Sequence, residues 1–121
     1  MDLNKLTPLL RTHQLKETVD WYVNVLGFTC TDYVEEYGFA RVQLHSVDIM
    51  LATANAHYPF KEPSFTGALY INTSDVNSWW EKLKDTCNVC YALETFDYGM
   101  REFAIFDINN YLLQFGQPVS V

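Results

Sequence analysis

One order of elements runs through this chain twice, and that repeat constrains its fold more than any other feature. The stretches "EYGFARVQLHSVDIML" (36–51) and "DYGMREFAIFDINNYLL" (97–113) both read acidic residue, Tyr, Gly, large apolar residue, β-rich run, turn, apolar run. Upstream, "ETVDWYVNVLGF" (17–28) is matched by "SDVNSWWEKLKD" (74–85), each with an aromatic pair at the same place. Two halves of about 60 residues therefore carry one pattern, as an internal duplication would.

Each half reads as β-α-β-β-β. Residues 5–11 alternate weakly, as a strand does. A helix is predicted over 15–26, with Val19, Tyr22, Val23 and Leu26 at i, i+3, i+4, i+7. Gly27 is placed to end that helix in a left-handed conformation. "FTCTDYVEE" and "FARVQLH" flank a hairpin turn at Tyr37-Gly38, and "VDIMLAT" supplies the fourth strand. In the second half "GALYINT" is a strand, and Ser74 or Asp75 can cap a helix burying Val76, Trp79, Trp80 and Leu83. "NVCYALETF", "MREFAIFD" and "YLLQFGQ" follow as strands, with turn chemistry at Asp107–Asn110.

The expected fold is α+β: a single domain over 1–121, with module one at about 5–53 and module two at about 66–117. The modules are expected to form a curved mixed sheet with helices on its outer face and a concave pocket on its inner face. The connecting loop 54–65 would cover one end. Trp21, Phe28, Trp79 and Phe103 are expected in the core.

Composition narrows the partners. A net charge of −7 with only eight basic residues, scattered along the chain, argues against nucleic acid, which demands clustered Lys and Arg. No apolar run approaches a membrane span, and "MDLNKLTPLL" carries no signal-peptide pattern, so a cytoplasmic location is expected. Cys30, Cys87 and Cys90 are expected as free, inert thiols, because "CNVC" follows a helical segment instead of opening one. Glu35-Glu36 is expected as a solvated turn, and His13, His45 and His57 as surface or loop residues.

With paired β-α-β-β-β units, "WYVNVLGF" closing the first helix and "REFAIFDINNYLLQFGQ" ending the second module, the chain resembles the vicinal oxygen chelate superfamily. That group contains glyoxalase I, extradiol dioxygenases, and fosfomycin- and bleomycin-resistance proteins. Asn110 stands where the resemblance leads one to expect Gly, and it tolerates the same left-handed geometry. Enzymes of this group hold a divalent metal with His, Glu or Gln from the first and last strands of each module. The resemblance carries those positions onto Thr7, Ala52 and Gln114, with no His or carboxylate in "FTGAL" (65–69). A catalytic divalent metal needs about three imidazole, carboxylate or thiolate donors, so no metal or other cofactor is expected.

The metal-free branch that the chain resembles is the bleomycin-resistance type, which binds a drug without transforming it, as a homodimer. The implied function is sequestration of a small aromatic or cationic molecule, with stacking and cation–π contact supplied by 8 Tyr, 8 Phe and 3 Trp. Expected pocket walls are Phe39, Tyr58, Phe60, Tyr98 and Met100, with Met50 and Tyr70 contributing from strands. Expected polar contacts are Thr7, Arg101 and Gln114, although Arg101 could instead pair with Glu102 or Asp97. Two alternatives stand beside this reading. One is a metal-dependent glyoxalase-like lyase or dioxygenase drawing on His13, His45, Asp48 and Glu94. The other is a purely structural or interaction role.

Overall fold

The computed structural model describes residues 1–54, 61–64 and 67–119. The chain divides into two compact units, Met1–Lys61 and Glu62–Val121. Hydrogen bonding arranges the strands as two four-stranded mixed sheets, one in each unit, so the class is α+β as expected.

The first unit runs β1 (Leu9–Thr12), α1 (Leu15–Trp21), β2 (Thr29–Val34), β3 (Phe39–Leu44) and β4 (Val47–Thr53), in sheet order β1-β4-β3-β2. β1 pairs parallel to β4, and the other ladders are antiparallel. The first strand starts later than its pattern suggests. Pro8 has no N–H to give, so only its carbonyl joins the sheet, accepting from the Met50 N–H at 2.9 Å. The helix is also shorter than expected. After Trp21 the backbone widens into a π-helical turn, Tyr22–Leu26, which stops at Gly27 with φ 88°. That left-handed glycine is the predicted terminator. Alternation sorts the sheet's faces. Leu10, Thr12, Ala40, Val42, Ile49 and Leu51 are buried on the α1 side, whereas Phe39, Met50 and Ala52 lie on the other.

The second unit repeats the order: β5 (Leu69–Asn72), α2 (Val76–Leu83), β6 (Asn88–Thr95), β7 (Met100–Phe106) and β8 (Leu112–Pro118), in sheet order β5-β8-β7-β6. Asp75 is the cap, its Oδ1 accepting the Ser78 N–H at 3.2 Å. Gln117 of β8 adds a second acceptor for the helix start, taking the Val76 N–H at 2.9 Å. Leu113, Phe115, Phe103 and Ile105 fill the helix side of the sheet. The turn after β7 forms as its residues dictate. Asp107 Oδ1 accepts the N–H groups of Asn109 and Tyr111 at 2.8 and 2.9 Å, and Asn110 takes φ 71°.

Phe28 and Phe103 are buried as expected, at 5% and 0% exposure. Trp21 and Trp79 are only half-buried, which corrects their assignment to the core. Each sits on a helix flank, where the large indole covers core aromatics while one side stays wet. Trp79 stacks on Phe115 at 5.4 Å, and the Lys82 ammonium lies 5.1 Å from the indole.

Candidate functional site: a carboxylate ringed by tyrosines

β7 reads Arg-Glu-Phe-Ala-Ile-Phe, and its alternation sends Phe103 and Ile105 toward α2. Glu102 and Ala104 consequently face the other way. Glu102 is 3% exposed, and it is held there by hydroxyls instead of by a cation. The Tyr70 hydroxyl from β5 donates to Oε2, and the Tyr98 hydroxyl from the β6–β7 hairpin donates to Oε1. Tyr91 of β6 donates to Oε1 at 3.3 Å and accepts from Gln114 Nε2 of β8 at 2.9 Å. All four strands of this sheet, or the hairpin joining two of them, thus contribute to one cluster.

The backbone makes room for it. Gly116 pairs with Glu102 across the β7–β8 ladder, and a Cβ there would sit 1.9 Å from the Tyr70 hydroxyl oxygen. Only glycine leaves the phenol its path to the carboxylate. Tyr98 projects from a tight loop closed by Phe96 N–H to Met100 carbonyl (2.8 Å) and Gly99 N–H to Phe96 carbonyl (3.0 Å) bonds. Its ring stacks on Phe96 at 5.4 Å with a 5° interplanar angle, yet remains 66% exposed. Tyr98 is therefore the outermost member of the cluster.

The phenols are all held above the ordinary tyrosine value of 10.0. Burial is the main cause at Tyr70, reinforced by its bond to Glu102. Burial also raises Tyr91, opposed by the hydrogen bond from Gln114. Tyr98 is pushed up to about 12, chiefly by its hydrogen bond to Glu102 and then by desolvation. They are donors at neutral pH, not nucleophiles. A raised pKa means that the folded chain holds these protons more tightly than the unfolded one, so the contribution of Tyr98 is complete below pH 10 and lost as pH rises through about 12. Thermal melts from neutral to strongly alkaline pH should be flat first and then fall, and Tyr98→Phe should shallow the fall.

Three of the expected site residues, Tyr70, Tyr98 and Gln114, meet in this cluster, and Met100 begins β7 on the same face by alternation. Arg101 does not join them. It lies on the α2 side, where Nε donates to Asn77 Oδ1 at 2.9 Å and an NH group to Thr95 Oγ1 at 3.0 Å. Thr7, Phe39 and Met50 belong to the first unit. Tyr58, Phe60 and His57 lie outside the described residues. Glu102 and Tyr91 were not singled out from the sequence. The available signal was the one acid of a strand that is apolar apart from Arg101, with the same parity as Ala104.

The metal positions carried over by resemblance hold few donors. Ala52 offers a methyl group, Thr7 one hydroxyl, and the Gln114 amide is engaged with Tyr91. That donor set does not fit a catalytic divalent ion. Among the described residues no group of three or more His, Cys, Asp or Glu side chains is placed to hold one. Asp48 is committed to Lys5 Nζ at 2.8 Å, and His13 Nε2 lies 3.0 Å from the Lys61 carbonyl. A cleft of about 220 Å³ opens near Pro63, Ser64, Gly67, Phe106, Tyr111 and Leu112. The Phe106–Leu112 pair in its wall is two residues along the ladder from Ala104–Gln114.

Comparison with known proteins agrees with this architecture. The family model of the Glyoxalase/Bleomycin resistance protein/Dioxygenase superfamily matches residues 3–115, and the chain belongs to that superfamily. Similar solved structures include a glyoxalase/bleomycin resistance protein/dioxygenase from Nocardioides, at 17% identity and TM-score 0.82, covering 99% of this chain and 86% of the other. TnmS3, an antibiotic binding protein from Streptomyces sp. CB03234, is similar at 19% identity and TM-score 0.75, with 98% of each chain covered. TioX from Micromonospora sp. ML1 is similar at 16% identity and TM-score 0.73, covering 96% of this chain and 99% of that one. No curated protein matches the sequence significantly. Among the described residues, no helix is long and apolar enough to cross a membrane.

Proposed function

We propose that this protein binds and sequesters a small aromatic or cationic molecule without transforming it, independently of metal, as a cytoplasmic homodimer. The observation that carries this reading is the Tyr70–Tyr91–Tyr98 cluster around Glu102, with Gln114 beside it. It supplies aromatic faces, an anionic centre and an amide, which suit recognition. It supplies neither an activated nucleophile nor a base poised beside one. The similarity to TnmS3, an antibiotic binding protein, supports the same reading.

Bleomycin, the drug in the superfamily's name, is the first probe. In chelator-treated buffer it should change the tryptophan and tyrosine fluorescence of the protein saturably, and Tyr98→Ala should weaken binding by about tenfold or more, as loss of a central aromatic contact does. Sedimentation should give twice the chain mass. Binding that appears only after a divalent ion is added would turn the reading toward the metal-dependent lyase or dioxygenase alternative.

A further inference from the structure

We propose that Glu102 selects the ligand: its carboxylate receives a protonated amine carried on a flat aromatic molecule, the ammonium taking the place of the Tyr98 hydroxyl. This inference rests on the binding reading above and adds to it the ligand's charged group and the atom that meets it. None of the ion pairs among the described residues involves Glu102. The adjacent guanidinium of Arg101 is turned to the opposite face and spent on Asn77 and Thr95. A carboxylate 3% exposed is thus satisfied by neutral donors alone.

Neutral donors hold such a group in place but leave its charge uncompensated. A charge-assisted N⁺–H···O⁻ bond is roughly twice as strong as a neutral one, so an ammonium competes well for any of the three phenol positions. Accessibility decides which. Tyr70 enters through the gap left by Gly116, and Tyr91 is tied to both Glu102 and Gln114. Tyr98 sits at a hairpin tip, 66% exposed. It can swing away with little loss, because its hydroxyl is then hydrated. The departing ring and Phe96, now stacked on each other, become a platform for the aromatic part of the ligand.

A matched pair of probes separates this inference from the binding reading beneath it. Naphthylmethylamine and naphthylmethanol share the ring system and differ in the charged head. Calorimetry at neutral pH should show the amine binding about tenfold more tightly than the alcohol. Glu102→Gln, nearly isosteric and checked by thermal melting, should erase that preference, the amine losing about tenfold more affinity than the alcohol. Tyr98→Phe, which keeps the stacking ring and Glu102 but removes the competing hydroxyl, should raise the amine's affinity. Equal affinity of wild type for both probes would overturn the selection while the binding reading stands. So would a preference that survives Glu102→Gln, or an amine affinity that does not rise in Tyr98→Phe. If neither probe binds, the binding face and the selection fall together.

Discussion

Gly116→Ala is expected to break the tyrosine cluster from behind. The new Cβ would lie 1.9 Å from the Tyr70 oxygen and 2.5 Å from the ring carbon bearing it, both far inside contact distance. The methyl group sits on a central strand and cannot retreat, so Tyr70, already 39% exposed, must leave. Glu102 Oε2 then loses its donor in a buried position. Leaving a buried acceptor short costs about 1–3 kcal/mol, more when it is charged, so a destabilisation of about 2–3 kcal/mol by urea unfolding is expected. A second readout is specific to the cluster. The Tyr70 phenol, now raised by burial and by Glu102, should ionise closer to 10.0 in the variant, visible in the ultraviolet absorbance of phenolate. Adding Tyr70→Ala to Gly116→Ala should cost less than the sum of the two alone, because the clash is removed with its partner. Strict additivity would show that the glycine serves some other purpose.

Phe103→Ala should have the largest effect on stability of any single truncation in the second unit. Its ring is fully buried, lies parallel to Phe115 at 5.0 Å and 7°, and meets Trp80 at 5.2 Å. Truncation removes both contacts and leaves a cavity under α2, for an expected loss of about 3–5 kcal/mol. Trp79→Ala should cost clearly less although more atoms are deleted, because that indole is half-wet, lying between Phe115 and the Lys82 ammonium. Chemical denaturation of both variants checks the order. A greater loss from Trp79→Ala would mean that the helix flank, not the sheet face, anchors α2.

The local chemistry of the fold was legible in the sequence. Gly27 ends its helix, Asp75 caps the other, and Asp107–Asn110 turns the chain, each through interactions within a few residues. The repeat made the order of elements readable as well. What could not be read was convergence. Tyr70, Tyr98 and Gln114 are each expected at a binding site, but the two tyrosines share Glu102, which the sequence offers only as a mate for Arg101, and Gln114 joins them through Tyr91. Neighbours on a strand point to opposite faces, so that pairing was barred by the pleat itself. Tyr91 comes into play through a ladder irregularity between Val89 and Tyr91, a feature with no pattern in the residues themselves. The shortening of α1 has a similar origin: the widening after Trp21 keeps Tyr22 and Leu26 on the apolar stripe, so the periodicity is the same with or without it.

The parallel pairs β1–β4 and β5–β8 join the first strand of each unit to its last. Such a ladder cannot zip outward from a hairpin. Both ends of the unit must be present before its central register exists, and the entropy of closing that long loop is lost before any parallel contact is gained. On the ribosome the antiparallel hairpins can pair as they emerge, while each first strand waits for the whole unit to be synthesised. For the tyrosine cluster, this is expected to place completion after the β6–β7 and β7–β8 hairpins. Tyr70 on β5 is the earliest of its members to be made, yet it meets β8 only after β6 and β7 have been synthesised.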